Sequence, residues 1–151
     1  LKDYKIVNLR EIFVAASEDG AEEKAKEILG KWNASGKTED DFKALVAEYN
    51  PDNTNEGLYE NVTSGYMPDV VDKWIFDAAR KPGDVELIYD EESEGSEGFH
   101  IVYYASQGEE YWKYSVRQAL VSQKYSDKYT GMAKNYEVTA NDGVISGIAN
   151  A

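Results

Sequence analysis

The sequence predicts an α+β fold on three observations. Four segments rich in β-branched and aromatic residues, at 7–16, 58–62, 85–89 and 99–104, read as strands. Three stretches with apolar residues at helical spacing fall among them in the order β-α-α-β-α-β-β. A last stretch with Trp112, Val116, Ala119 and Leu120 at helical spacing adds a C-terminal helix.

Each element has a local cause. Residues 7–16 form a buried strand, which Ser17-Glu18-Asp19-Gly20 ends with turn chemistry. Ala21, Ala25, Ile28, Leu29 and Trp32 then lie on one face of a helix, and Gly36 follows its end. Thr38-Glu39-Asp40-Asp41 is a capping-box variant that starts a second helix with Phe42, Leu45, Val46 and Tyr49 inward. Residues 50–57 are turn-forming types and read as irregular. Pro68 suits the first turn of a third helix, whose buried face is Val71, Trp74, Ile75 and Ala78, and Lys81-Pro82-Gly83-Asp84 stops it. The last two strands flank an acidic loop over residues 90–98, read as a solvated hairpin tip or a weak surface for cations or basic clients. The organisation expected is a domain over 8–107, a flanking helix over 108–134 and a tail over 135–151.

Composition removes several function classes. The chain has 151 residues and no cysteine, so disulfides, thiolate metal sites and cysteine nucleophiles are excluded. A net charge of -13 with scattered Lys and Arg argues against nucleic acid and anionic membrane surfaces. No apolar run is long enough to insert directly into a membrane. The run Asp52-x-Thr54-x-Glu56-Gly57 resembles the start of a calcium loop, but Thr63 stands where the bidentate Glu belongs. No metal or cofactor is implied. The chain begins at Leu1 and is expected to be a segment of a longer protein, with any signal or lipid anchor upstream.

Several motifs fall in order over about 100 residues, counted along the segments just described. Leu9-Arg10-Glu11-Ile12-Phe13-Val14 resembles the opening V-R-H-I-L-V strand of the parvulin-type peptidyl-prolyl isomerases. Phe42 to Asn50 is similar to their F-x-x-L-A-x-x-x-S helix. Gly65-Tyr66-Met67 with Val71 and Phe76 is similar to G-x-M-x-x-x-F-x-x-A-x-F, and Lys81-Pro82-Gly83-Asp84-Val85 to the L-x-x-G-x-V/I-S turn. Gly98-Phe99-His100-Ile101-Val102 resembles the closing G-x-H-I-I strand.

The resemblance implies a parvulin-like four-stranded antiparallel sheet carrying a shallow groove for proline-containing segments. It places His100 at the second of two central histidines, Asp52 at the acid position, and Leu58 and Met67 at positions that clamp the proline ring. Glu11 stands at the first histidine and Val71 at the clamp phenylalanine, while the family's G-G-D-L-G is reduced to Asn55-Glu56-Gly57-Leu58-Tyr59. The expected catalytic set is Glu11, Asp52 and His100. The expected substrate surface is Leu58, Met67, Val71, Phe13 and Glu97. Strand alternation puts Glu11 and Phe13 on one face, and a parvulin-like pairing brings Glu11 to His100 in hydrogen-bond contact. Similar domains occur in exported bacterial foldases flanked by chaperone helices. The resemblance therefore implies unfolded or newly exported clients and an extracytoplasmic, surface or membrane-anchored location. A fold-retaining binding or chaperone module with impaired turnover is the alternative.

Overall fold

The computed structural model describes residues 4–94 and 97–134. The elements follow the order β1 (Lys5–Ala15), α1 (Ala21–Ala34), α2 (Glu39–Tyr49), β2 (Leu58–Val62), α3 (Asp69–Ile75), β3 (Val85–Asp90), β4 (Gly98–Glu110) and α4 (Tyr111–Ala133). The strands form one antiparallel sheet in the order β2-β1-β4-β3. This is the α+β arrangement expected, with its C-terminal helix.

The chain divides into two units, Leu1–Tyr114 and Ser115–Ala151. The first holds the sheet, α1, α2 and α3. The second holds the body of α4, on which Val116, Leu120, Tyr125 and Tyr129 are exposed. The tail expected over 135–151 lies outside the described residues.

Two apolar clusters sandwich the sheet. On one face, Ile12, Val14, Ile101 and Tyr103 pack against Ala25, Ile28 and Trp32 of α1 and against Phe42 and Val46 of α2. On the other, Val7, Leu9, Val102 and Tyr104 pack against Val71 and Ile75 of α3, with Val62 and Met67. Alternation along the strands produces both sets, because neighbouring side chains point to opposite faces. The short α3 covers only part of its face, so Glu11, Phe13 and His100 lie beyond the Val7–Leu9 end of that cluster.

Local chemistry fixes the helix ends. Thr38 and Asp41 form the reciprocal capping box, with Asp41 N–H donating to Thr38 Oγ1 at 3.2 Å and Thr38 N–H donating to Asp41 Oδ2 at 2.9 Å. The third helix stops at Ile75 rather than running through Ala78. Asp77 captures the Ala79 amide through Oδ1 at 2.8 Å and turns the chain, and Ala78 is exposed in that turn. Pro68 precedes α3 as its N-cap rather than opening its first turn. Strand β4 runs six residues past the expected Tyr104 because β1 continues to pair with it as far as Lys5 opposite Glu110.

Candidate active site

Strand β1 delivers Glu11 and Phe13 to the face that α3 leaves open, and β4 delivers His100 directly opposite Phe13. Glu11 Oε1 and His100 Nδ1 are 2.5 Å apart, with the two residues 7% and 5% exposed. The Phe13 ring packs on the imidazole with centroids 4.9 Å apart. Gly98 makes room for it, since a Cβ there would stand 2.5 Å from the Phe13 ring.

The backbone at Glu11 is held by the segment before β2. Glu11 N–H donates to Gly57 O at 3.0 Å, and Gly57 has φ +69 with an added Cβ falling 2.6 Å from Glu11 O. Only glycine meets both demands. The same segment carries Asn50, Pro51, Asp52 and Asn53 over the end of β1, and Asn50 Nδ2 donates to Phe13 O at 3.4 Å. Between this segment and the sheet opens a cleft of about 360 Å³ lined by Glu11, Phe13, Tyr49, Asn50, Pro51, Asp52, Asn53 and Tyr59.

Of the expected site residues, Glu11, Phe13 and Asp52 therefore share one cleft, with His100 beneath it in contact with the first two. The ring-clamp positions are arranged otherwise. Leu58 pairs with Arg10, which in turn pairs with Tyr103, so it lies on the opposite face of the sheet. Val71 is 0% exposed and Met67 8% exposed, both inside the α3 cluster, where no proline ring reaches Val71 without repacking. Glu97 offers its backbone carbonyl to Ala16 N–H at 2.9 Å and does not line the cleft.

Two further side chains at this site escape sequence reasoning. Tyr59 pairs with Leu9 and so points to the Glu11 face, where it lines the cleft and hydrogen-bonds to Glu11. Burial, and then the negative charge of Glu11, push its hydroxyl up to about 12. Asp90, expected in a solvated hairpin tip, instead ends β3 at 1% exposure, with Oδ2 4.0 Å from His100 Nε2. Its Oδ1 accepts from the amides of Glu92 at 3.0 Å and Ser93 at 3.3 Å. Burial raises this carboxyl, but the Ser93 hydroxyl and the two amides outweigh it, and the group lies below its ordinary value. The alternation Glu86, Ile88, Asp90 was the available signal, since Ile88 stands opposite His100 and Asp90 opposite Gly98.

A polar row thus crosses all four strands: Tyr59 on β2, Glu11 on β1, His100 on β4 and Asp90 on β3. It contains no hydroxyl or thiol nucleophile paired with the histidine, and among the described residues no group of three or more His, Cys, Asp or Glu is placed to hold a metal ion. Such a row offers fixed charge and hydrogen bonds under a shallow cleft. That chemistry suits a reaction in which no covalent bond is broken.

A small α+β domain with a polar row beneath a shallow cleft is an arrangement suited to a peptide-bond isomerase. A family model for the Rotamase: PPIC-type PPIASE domain matches residues 7–106, and the chain belongs to this family of peptidyl-prolyl isomerases. Comparison with the curated proteins and with solved structures gives no match.

Proposed function

We propose that this chain catalyses cis/trans isomerisation of Xaa-Pro bonds in exported or unfolded proteins, at the cleft between β1 and the segment before β2. The carrying observation is the buried Glu11–His100 pair directly under that cleft. An Xaa-Pro bond rotates over a barrier of about 18 to 20 kcal/mol, because twisting removes amide resonance. A site lowers that barrier by binding the twisted form better than the planar one. Here Phe13, Tyr49 and Tyr59 supply walls for the pyrrolidine ring and exclude water. The Tyr59 hydroxyl and the Glu11 carboxylate offer hydrogen bonds and charge to the rotating amide.

The cleft carries Glu11 and Asp52 and no Lys or Arg among its described lining. This favours a basic residue beside the proline over an acidic one. Exported clients and an extracytoplasmic site of action follow from the resemblance to exported foldases.

The burial of Val71 favours a second reading, a peptide-binding module of the same fold with weak turnover, because the clamp position contributes no surface. A protease-coupled assay on an Ala-Xaa-Pro-Phe series with Xaa as Lys, Ala and Glu separates them. The isomerase reading expects turnover above background, fastest for Lys. Background rates for every peptide, with the same peptides still binding, would establish the binding module.

A further inference from the structure

Asp90 Oδ2 and His100 Nε2 are both buried, face each other at 4.0 Å, and have no hydrogen-bond partner among the described residues. On the other side of the ring, Nδ1 is already engaged by Glu11 Oε1 at 2.5 Å. The imidazole therefore stands between two carboxylates, one from each neighbouring strand. Of the other charged side chains near this face, Asp72 of α3 is turned away to Ser64 Oγ and the Gly65 amide.

With Glu11 and Asp90 both ionised, the ring has three protonation states to choose from. A neutral ring with its proton on Nδ1 satisfies Glu11 but sets the Nε2 lone pair against the Asp90 oxygen, two buried acceptors without a donor. A neutral ring with its proton on Nε2 turns a donor toward Asp90 but leaves the Nδ1 lone pair against Glu11 at 2.5 Å. A ring protonated on both nitrogens gives each carboxylate a donor, and two buried anions are then offset by one cation.

We infer that Asp90 is a positioning residue of this site: with Glu11 it holds His100 as a doubly protonated imidazolium fixed between β1 and β3. This rests on reading the Glu11–His100 pair as the isomerase site. Its consequence there is that Glu11 stays ionised under the cleft, with one oxygen committed to the ring and its charge fixed for the peptide. Asp90 touches no substrate; it acts through the ring.

His100 is the one histidine of the chain, so its ring nitrogens give an unambiguous ¹⁵N signal. In the wild-type protein at neutral pH, both nitrogens are expected at imidazolium shifts. A neutral ring, of either tautomer, would overturn the proposal without any variant. Asp90→Asn keeps the oxygen that caps Glu92 and Ser93 while removing the charge, and it is expected to lose the Nε2 or Nδ1 proton at neutral pH. The amide spectrum of this variant should otherwise be like wild type. An Asp90→Asn ring that stays imidazolium over the same pH range would equally overturn it. The readout is the ring itself, so it decides this proposal whether or not the chain turns over peptides.

Discussion

Glu11 Oε1 and His100 Nδ1 approach to 2.5 Å across the β1–β4 ladder, on the diagonal between the cross-strand pairs Glu11–Val102 and Phe13–His100. The diagonal is what lets two long polar side chains meet while Phe13 and Val102 occupy the directly opposite positions. Both partners are buried, so each is the other's main compensation for lost water.

The losses from removing each member should therefore not add. Glu11→Leu leaves His100 and Tyr59 without their acceptor and is expected to lose about 3 to 5 kcal/mol of unfolding free energy. The double variant Glu11→Leu/His100→Leu should lose less than the sum of the two single losses. Urea denaturation of all four proteins measures this, and additive losses would show the pair to be uncoupled.

Asp90 gives the acid limb of stability a specific origin. Its carboxyl lies below its ordinary value of 3.8 in the folded chain. The folded state thus binds the proton less readily than the unfolded one, and the stabilisation is fully present above 3.8 and lost as pH falls through the folded value. Asp90→Asn should flatten the loss of stability below that pH, measured by thermal melts across the acid range. An unchanged acid limb would count against this origin.

Tyr59 acts at the other end of the scale. Its hydroxyl is raised from 10.0 to about 12, so the stability it contributes is full below 10.0 and declines as pH rises toward 12. Difference titration of tyrosinate absorbance between wild type and Tyr59→Phe should show one late-ionising group missing from the variant. Loss instead of a group ionising at the ordinary value would show that Tyr59 is not held by Glu11.

The family-like reversion Val71→Phe tests how far the clamp has been rebuilt. Val71 is fully buried beside Leu9, Met67, Ile75 and Val102. A phenylalanine overfills that cluster, and the expected result is a loss of about 1 to 3 kcal/mol with no gain in turnover. A stable variant with faster turnover would mean that the cleft extends under α3.

The legible part of this protein was the part governed by period and caps. Alternation over residues 7–14 and the spacing of Phe42, Leu45 and Val46 are each set by which face meets the core, so the sheet and its helices could be read directly. Glu11 and His100 were legible because motif order and strand parity agreed. Leu58 and Tyr59 were not, since a one-residue difference in β2 register exchanges the two faces and the segment before it gives no parity signal. Asp90 was hidden in an acidic run, where composition points to solvent and only the pairing of β3 with β4 shows that its side chain turns inward.

We propose that peptide isomerisation occurs over the Glu11–His100 pair. Two-dimensional NMR exchange on a Lys-Pro peptide, with catalytic amounts of protein, reads the cis/trans rate without a coupled protease. Wild type is expected to give exchange cross-peaks absent from the peptide alone. His100→Leu and Tyr59→Phe, both checked as folded, are expected to weaken them. Cross-peaks of undiminished intensity in both variants would place the chemistry elsewhere and contradict the account.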